Sequence, residues 1–287
     1  MSIRLDGRQT ARHITLQLQK TVSELTARGH RPPGLGIIQV GNDPASSVYV
    51  KNKLLTARET GIKTFYLRPA PQPEALYEAI DRLNADGEVD GFIVQLPLPS
   101  GWDVQAVMER IRPDKDADGF HPLNLGRLLA GRPYIVPATP GGILRLLEHY
   151  GISPAGKHMV IAGRSNIVGK PLAVWAASNH PGGNATVTLI HSRTPEPEKL
   201  IRTADIFVSA IGKPKYWPAS VIKEGAVVID VGINRDRDGQ LCGDIDPEGL
   251  DRKAYAYTPV PGGVGPMTVA MLLYNTVELY KQHIAPL

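Results

Sequence analysis

A tyrosine and a lysine stand four residues apart in the stretch "SSVYVKNK", directly after the loop "VGNDPA". Positions i and i+4 are neighbours on the surface of a helix, so Tyr49 and Lys53 share a face if a helix begins here. An amine can act as a general base if burial or neighbouring charges lower its pKa. The same spacing also occurs by chance on solvated helices, so the residues around the pair decide its meaning.

A glycine turn follows an apolar segment in the stretch "VIAGRSNIVGKP". It is not a P-loop, because Gly163 and Gly169 enclose five residues instead of four and Pro171 replaces the Ser or Thr that ligates Mg²⁺. It also departs from the G-x-G-x-x-G pattern. A strand, a glycine turn and a helix N-terminus nevertheless offer backbone N–H groups to a phosphate. The turn is therefore a candidate nucleotide site.

The next apolar segment ends in the residues "HSRT". NAD-binding folds place Asp or Glu at this point to hold the ribose 2′-hydroxyl, whereas NADP-binding folds supply cations. His191, Ser192 and Arg193 occur here without a carboxylate, and Arg164 adds a second guanidinium from the glycine turn. A solvated basic turn is the plain alternative. The two features together predict NADP as the cofactor.

Acidic residues alternate before a glycine in "RPDKDADGFHPLN" and imitate the start of an EF-hand loop. Position twelve of such a loop would be Leu125 instead of a bidentate Glu, and Pro122 interrupts it. We therefore expect no calcium and no other metal here. A solvated turn is the ordinary interpretation, and the functional one is that Asp118 accepts hydrogen bonds from an amino-substituted heterocycle.

Two further loops have unusual compositions, "VQLPLP" at 94–99 and "TPVPGGVGPMT" at 258–268. Gln95 ends an apolar segment, where a ligand lies in a parallel α/β sheet. In the second loop, prolines stiffen the chain and glycines allow the backbone to come close to a ligand. A tight connection into the last helix explains these glycines less well than a ligand-binding wall does.

The elements that must position these residues alternate between helical patterns and short apolar runs. In the first half, helices are predicted at 11–25, 47–61, 74–85 and 103–111, and strands at 34–40, 62–67 and 90–96. Ser46 or Ser47 is the candidate N-cap of the second helix. In the second half, a helix at 141–150 precedes nearly continuous apolar runs at 157–163, 185–191, 205–212 and 226–232. Such runs are typical of strands buried on both faces.

This alternation predicts an α/β fold with two domains, of which the second is Rossmann-like. The length of 287 residues suits two cores, and a last helix is expected from about 267. Hydrophobic residues make up 42% of the chain and charged residues 21%, with a single cysteine, Cys242. We expect a cytoplasmic protein without a membrane segment, and the scattered basic residues make a nucleic-acid partner a poor prediction.

Ten segments of the chain, in order, resemble the bifunctional methylenetetrahydrofolate dehydrogenase/methenyltetrahydrofolate cyclohydrolase family. They are "VGNDPASSVYVKNK", "DGFIVQLPLP", "KDADGFHPLNLG", "ATPGG", "GRSNIVGKP", "HSRT", "ADIFVSAIGKP", "GAVVIDVGIN", "GDID" and "TPVPGGVGPMT". The resemblance also separates the Tyr–Lys pair from that of the short-chain dehydrogenases. In those enzymes the pair follows the dinucleotide turn, whereas here it lies far upstream of it.

The resemblance implies roles for the first group of residues. Lys53 is the catalytic group, Tyr49 packs beside the substrate, Gln95 hydrogen-bonds near Lys53 and tunes it, and Asp118 holds the pterin of the folate. The sequence departs from the family at Ala138, where many relatives have a cysteine, so a cysteine at this position is not needed for the chemistry of this chain.

The resemblance also implies the ligand-binding residues and the assembly. The NADP site is lined by Gly163, Arg164, Ser165, Ser192, Arg193 and Ile233, and the folate, in a cleft between the domains, by Tyr49, Asp118, Pro261, Gly262 and Gly263. Residues 1–140 with 268–287 are expected to form the folate-binding catalytic domain, and 141–267 the NADP domain. The last helix packs back on the first domain, and the chain forms a homodimer.

Two other functions are compatible with these patterns. One is an NADP-dependent dehydrogenase of the shikimate type, which acts on a hydroxy acid, and the other is a protein that binds NADP without catalysis. The joint presence of Tyr49, Lys53, Gln95 and Asp118 argues against both. The expected reaction is the oxidation of 5,10-methylenetetrahydrofolate to the 5,10-methenyl form, followed by hydrolysis to 10-formyltetrahydrofolate.

Overall fold

The computed structural model describes residues 2–284. The helices in this range are α1 Gly7–Ala27, α2 Pro44–Glu59, α3 Pro73–Ala85, α4 Val104–Arg110, α5 Pro122–Leu129, α6 Ala138–His149, α7 Gly169–Ala177, α8 Pro197–Ile201, α9 Leu250–Lys253 and α10 Val264–Ile284. The strands are β1 Ile3–Arg4, β2 Gly34–Ile38, β3 Lys63–Leu67, β4 Gly91–Val94, β5 His158–Ala162, β6 Thr186–Ile190, β7 Ile206–Ser209, β8 Val227–Asp230, β9 Asn234–Arg235, β10 Leu241–Cys242 and β11 Ala256–Tyr257. Every helix and strand predicted from the sequence has a counterpart here.

The chain divides into two compact units, and the division falls within α1 and within α10. The first unit, which we call the lysine unit, comprises Arg12–Ala138 and the C-terminal helix from Val269. The second, which we call the dinucleotide unit, comprises the N-terminal segment up to Ala11 and Thr139–Thr268.

The lysine unit contains a three-stranded parallel sheet in the order β3–β2–β4. Strand β2 lies in the centre, and all five of its residues are buried. Its apolar side chains alternate between two clusters, because successive strand residues point to opposite faces. Leu35 and Ile37 pack with α1, α2 and α10, whereas Ile38 packs with α3 and α4.

Helix α10 provides much of the first of these clusters. Leu272, Leu273 and Val277 are fully buried there. The side-chain amide of Asn275 donates to the carbonyl oxygens of Ala117 at 3.0 Å and Val136 at 2.9 Å. This confirms the expectation that the last helix packs on the domain that contains Lys53. Residues 285–287 of the expected segment lie outside the described residues.

The dinucleotide unit contains a six-stranded parallel sheet in the order β1–β11–β8–β7–β5–β6. Strands β5, β7 and β8 are almost entirely buried, as their continuous apolar runs predict. The order reverses at β5, since the chain moves from β5 to β6 on one side and then to β7 on the other. This arrangement, with α7 following β5, is the predicted Rossmann-like domain.

The N-terminal segment differs from the expectation, which grouped residues 1–140 in the catalytic domain. Its strand β1 pairs with β11 at the edge of the six-stranded sheet, with Ile3 opposite Ala256. Backbone N–H groups of Ile3 and Leu5 donate to Tyr255 and Tyr257 at 2.9 and 2.8 Å. Strands of two residues have no readable periodicity, so neither β1 nor β11 could be predicted from the sequence.

Candidate functional site

Helix α2 begins two residues before the first serine that the sequence suggested as its cap. Asp43 is the N-cap, and its carboxylate accepts a hydrogen bond from the backbone N–H of Ser46 at 2.7 Å. Pro44 is the first helical residue, a position where proline costs no hydrogen bond. The predicted cap at Ser46 or Ser47 is therefore wrong. The helix still contains Tyr49 and Lys53 one turn apart on the same side.

Lys53 is buried, with 5% of its surface exposed. Its ammonium nitrogen Nζ donates to Oε1 of Gln95 at 3.0 Å and lies 4.8 Å from the centre of the Tyr49 ring. Burial lowers the pKa of Lys53, and the negative charge of Asp118 opposes this effect. A lysine in this environment can lose its proton more easily than a solvated one.

Gln95 follows β4 at the carboxyl edge of the three-stranded sheet. Its backbone N–H donates to the carbonyl oxygen of Ile38 at 2.8 Å, which continues the ladder of the sheet by one residue. Its side-chain nitrogen donates to the carbonyl of Leu96 at 2.6 Å. This second bond fixes the orientation of the amide, so that its oxygen faces Lys53.

The acidic stretch contains three carboxylates, of which Asp116 and Asp118 have different environments. Asp116 is buried and accepts hydrogen bonds from the N–H groups of Gly119 and His121 and from Asn124, at 2.8–3.0 Å, so it holds the turn together. Asp118 remains partly exposed. Loss of water raises the pKa of Asp118 to about 6, although the charge of Lys53 opposes the rise. Asp118 is thus the carboxylate that remains accessible beside Lys53.

Ala138 is the first residue of α6. It is 1% exposed and packs in the apolar cluster of the lysine unit with Ile135 and Leu272. A methyl group there contributes to the core and offers no polar atom to a substrate.

The glycine turn of the dinucleotide unit has the close backbone approach that its sequence suggested. Gly163 has a φ of +114°, and a Cβ atom at this position would lie 2.3 Å from the carbonyl oxygen of Ala210. A Cβ atom on Gly169 would lie 1.9 Å from the carbonyl oxygen of Gly163. Ser165 and Arg164 are exposed in this turn, and the Ser165 hydroxyl accepts from the N–H of Val168 at 3.1 Å.

The basic turn "HSRT" follows β6, the neighbour of β5, so it lies at the same sheet edge as the glycine turn. The hydroxyl of Thr194 accepts from the N–H of His191 at 3.0 Å, and the His191 ring nitrogen Nδ1 accepts from the N–H of Arg193 at 3.2 Å. Ser192 and Arg193 are exposed. These residues fit an anionic dinucleotide, because a glycine turn with backbone N–H groups follows β5 and exposed arginine side chains lie at the ends of the adjacent strands β5 and β6.

The remaining predicted binding residues also lie in the dinucleotide unit. Ile233 follows β8 and is 59% exposed, so its side chain is accessible for contact with a ligand. Gly262 has a φ of +111° in the loop before α10 and accepts a hydrogen bond from the N–H of Gly7 at 3.0 Å. Pro261 is exposed, and Gly263 is buried.

The structure thus brings together Tyr49, Lys53, Gln95 and Asp118 in one unit, and the predicted dinucleotide residues in the other. Sequence reasoning assigned no role to Asp116 and did not single out Asp230 or Asp244. The alternation of acids in "KDADG" and "GDID" is the signal for Asp116 and Asp244, and Asp230 has only its place at the end of an apolar run. Among residues 2–284 there is no cluster of His, Cys, Asp or Glu that could hold a metal ion, and no helix long and apolar enough to cross a membrane.

Two models of one protein family match the chain in order. The catalytic domain of tetrahydrofolate dehydrogenase/cyclohydrolase matches residues 5–118, and the NAD(P)-binding domain of the same family matches residues 137–284. The bifunctional protein FolD of Nitratidesulfovibrio vulgaris is 51% identical over 279 residues, which cover 96% of this chain and 97% of that relative.

Solved structures of similar proteins agree with this match. The bifunctional FolD methylenetetrahydrofolate dehydrogenase/cyclohydrolase of Campylobacter jejuni is 40% identical with a TM-score of 0.92, and the alignment covers 98% of this chain and 99% of that one. The corresponding enzyme of Trypanosoma brucei, solved with NADP and an inhibitor, is 38% identical with a TM-score of 0.93, over 99% and 98%.

Shikimate dehydrogenases are much more distant. The enzyme of Thermus thermophilus is 15% identical with a TM-score of 0.53, over 87% of this chain and 99% of that one, a likeness of fold alone. Both family models, and a relative that is 51% identical over nearly its whole length, instead match tetrahydrofolate dehydrogenase/cyclohydrolase proteins. This chain belongs to the tetrahydrofolate dehydrogenase/cyclohydrolase family.

Proposed function

We propose that this chain oxidises 5,10-methylenetetrahydrofolate with NADP and hydrolyses the resulting 5,10-methenyltetrahydrofolate to 10-formyltetrahydrofolate, with Lys53 as the general base of the hydrolysis. The observation that supports this most directly is the burial of Lys53 against the Gln95 amide, with its pKa lowered. Membership of the family makes the dehydrogenase and cyclohydrolase activities the first to consider.

The hydrolysis needs a base because water is a weak nucleophile. The methenyl carbon is electron-poor, since the methenyl product carries a positive charge. Neutral Lys53 accepts a proton from the attacking water as the oxygen bonds to that carbon. The same group then returns that proton to the folate nitrogen whose bond to the carbon breaks. The remaining hydroxyl proton passes to solvent as the formyl carbonyl forms, so the hydrolysis of the cation releases one proton overall.

The neighbours of Lys53 keep its amine ready for this role. The Gln95 oxygen accepts one N–H of the amine at 3.0 Å and carries no charge, so it orients Nζ without strongly favouring the protonated form. The Tyr49 ring, 4.8 Å away, offers a face on which a flat heterocycle can stack. The carboxylate of Asp118 can accept hydrogen bonds from the amino-substituted pterin, and this contact orients the one-carbon unit.

Hydride transfer needs orientation more than acid–base chemistry. NADP, when bound, accepts the hydride from the methylene carbon. Gly163 and Ser165 offer backbone and hydroxyl groups to its phosphates, Arg193 and Ser192 offer donors to the ribose 2′-phosphate, and Ile233 covers an apolar part. Pro261, Gly262 and Gly263 are proposed to contact the folate through their backbone.

One absorbance experiment tests the proposed function. The chain is mixed with 5,10-methylenetetrahydrofolate and NADP, and NADPH and methenyltetrahydrofolate are followed together. We expect NADPH to form and methenyltetrahydrofolate to pass on faster than it decays without protein. Activity on a hydroxy acid without any turnover of folate would support the shikimate-type alternative instead.

The assembly and cellular context remain proposals as well. We infer a homodimer in the cytoplasm that supplies one-carbon units to purine and amino-acid biosynthesis, as the family resemblance implies. Light scattering after size-exclusion chromatography measures the first of these directly. A mass near 62 kDa, about twice the 31.1 kDa of the chain, would support the dimer, and a mass near that of one chain would contradict it.

A further inference from the structure

Asp244 is a fully buried carboxylate that the proposed reaction does not use. Its oxygen Oδ2 accepts from the Ser209 hydroxyl at 3.0 Å and from the N–H of Ile211 at 2.7 Å. Its oxygen Oδ1 accepts from the N–H of Lys213 at 3.0 Å and from the Asn234 amide at 2.9 Å. Four donors, one at the end of β7 and three in the segments that follow β7 and β8, therefore converge on one side chain.

The two loops are those that follow adjacent strands of the six-stranded sheet. We call residues 210–213 the β7 loop and residues 231–234 the β8 loop. The segment with Asp244 is held against the β7 side, since the N–H groups of Lys215 and Trp217 donate to the carbonyls of Gly243 and Asp244 at 2.9 and 3.0 Å. Asp244 thus links the β7 and β8 loops through its side chain.

A second buried acid fixes the segment from the other side. Asp230, at the end of β8, accepts from the N–H groups of Gly232 at 3.0 Å and of Asp244 and Ile245 at 2.9 Å. The contacts leave no room for side chains. A Cβ atom on Gly232 would lie 2.2 Å from the Asp244 carboxylate, and one on Gly243 would lie 1.9 Å from the Asp230 carboxylate.

The position of these loops in the sheet indicates which part of a dinucleotide they meet. A dinucleotide crosses the sheet edge where the strand order reverses, here between β5 and β7. Its adenosine ribose lies at the end of the second strand of the domain, β6, beside Arg193. The other half, which contains the nicotinamide, must then lie towards β7 and β8. Ile233, 59% exposed, is in the β8 loop.

We propose that Asp244 is a positioning residue for hydride transfer, because it holds the β7 and β8 loops in the conformation that receives the nicotinamide half of NADP. This inference rests on the proposed function. This role also accounts for the first aspartate of the segment "GDID", Asp244, for which the sequence predicts no role. A buried carboxylate is costly unless all its hydrogen bonds are made, so a residue needed only for packing would serve better as an apolar side chain.

The decisive variant is Asp244→Asn, which keeps the shape but directs an amide NH₂ towards N–H and O–H donors. Calorimetric titration measures the binding of two ligands, NADP and 2′,5′-ADP, which lacks the nicotinamide half. We expect the Kd for NADP to rise at least about tenfold, because charge-assisted hydrogen bonds are lost. The Kd for 2′,5′-ADP should stay within about twofold, since the donors to the Asp244 carboxylate are Ser209, Ile211, Lys213 and Asn234, which lie outside the turns after β5 and β6.

Asp246→Asn is the matched control, because Asp246 is two residues away and its carboxylate accepts from the N–H of its near neighbour Glu248, at 3.1 Å, instead of joining the β7 and β8 loops. It should bind both ligands like the unchanged chain. An unchanged Kd for NADP in Asp244→Asn would overturn the proposal. An equal loss of NADP and 2′,5′-ADP would also overturn it, because Asp244 would then support the whole unit instead of the nicotinamide side.

Ser209→Ala keeps the test decisive if Asp244→Asn fails to fold. It removes one of the four donors and leaves the backbone donors in place. We expect the Kd for NADP to rise about threefold with 2′,5′-ADP unaffected, and no change for NADP would contradict the proposal. Failure of the unchanged chain to pass hydride to NADP would refute the proposed function instead, since the binding ratios between variants do not depend on turnover.

Discussion

The lysine cluster (Tyr49, Lys53, Gln95 and Asp118) and the dinucleotide turns (residues 163–169 after β5 and 191–194 after β6) show two ways of building a candidate site. In the lysine cluster, the ionisable group is buried and its pKa is lowered, and Gln95 faces it at 3.0 Å. In the dinucleotide turns, the cations Arg164 and Arg193 are exposed, and the buried part is backbone that comes close at Gly163. The first site depends on the loss of water around a side chain, and the second depends on the shape of the main chain.

This difference follows from what each site must do. A base for water needs a proton affinity near the working pH, and only desolvation or neighbouring charge can give a lysine that property. A phosphate is already charged, so it needs only donors and cations at the right place. Substitutions in the lysine cluster should therefore change chemistry, whereas those in the dinucleotide turns should change affinity and selectivity.

The largest effect is expected from Lys53→Met, which keeps the length of the side chain and removes the amine. Cyclohydrolase activity should fall by at least about 100-fold, as is typical when a general base is lost. Some dehydrogenase activity should survive, because hydride transfer removes no proton from water. Methenyltetrahydrofolate should then accumulate as NADPH forms, which absorbance records directly.

Lys51→Met is the matched control for this variant, because Lys51 is on the same helix but exposed. It should keep both activities. A Lys53→Met protein that hydrolyses methenyltetrahydrofolate at the normal rate would show that Lys53 is not the base.

The next largest effect is expected at Arg193, the exposed guanidinium after β6. Arg193→Asp should raise the KM for NADP at least about tenfold, because a charge-assisted contact with the 2′-phosphate is replaced by repulsion. The KM for NAD, which lacks that phosphate, should change much less. Steady-state kinetics with both cofactors give the comparison.

Arg237→Asp makes the same change of charge at an exposed residue of the β9–β10 hairpin, outside the proposed site. It should leave the preference between NADP and NAD unaltered. Equal losses with both cofactors in Arg193→Asp would mean that the turn after β6 does not distinguish the 2′-phosphate.

The sequence predicts much of the fold because the α/β alternation is strong. The sequence predicts β2, β3 and β4 and β5 to β8 from short segments that are mostly apolar, and all of them form. The sequence does not predict the placement of the N-terminal segment, because β1 and β11 are two residues each and their pairing depends on distant parts of the chain. The cap of α2 was also missed, since Asp43 precedes a proline and two serines that look like better candidates.

The candidate site, like the fold, has parts that the sequence predicts and parts that it does not. Lys53 and Gln95 are far apart in the sequence, and only the resemblance to a family connected them before their hydrogen bond was seen. The sequence does not predict that Asp230 and Asp244 accept hydrogen bonds from loops, because the residue type does not show whether an aspartate is buried or solvated. What distinguishes them is the set of donors around each, which tertiary structure alone supplies.

A smaller effect is expected at Gly7, the first residue of α1. A Cβ atom there would lie 1.8 Å from the carbonyl oxygen of Gly263, so Gly7→Ala must push the loop that contains Gly262 and Gly263. If this loop contacts the folate, the KM for the folate should rise about threefold, the size of one weakened hydrogen bond. The Kd for 2′,5′-ADP should not change.

Gly126→Ala is the helical control, because the space around Gly126 is open. It should leave both values unchanged and stabilise the protein by about 0.5–1 kcal/mol, since alanine favours a helix. A normal KM for the folate in Gly7→Ala, with a normally folded protein, would argue against a binding role for Gly262 and Gly263.

The smallest effect is a displacement of the pH profile in Asp118→Asn. In the proposed mechanism the neutral amine of Lys53 is the base, so the rate at saturating substrate should rise with pH through the pKa of Lys53. The negative charge of Asp118 raises that pKa against the effect of burial, and asparagine removes the charge. The pKa of Lys53 therefore falls further, and the rising limb of the cyclohydrolase profile should move to lower pH.

Asp118 itself, with its pKa raised to about 6, should make the KM of the unchanged chain increase below about that pH. That increase should be missing in Asp118→Asn, and Asp81→Asn, which changes an exposed carboxylate paired with Arg110, should follow the unchanged chain in both respects. A limb that stays in place or moves to higher pH would mean that the charge of Asp118 does not control the base.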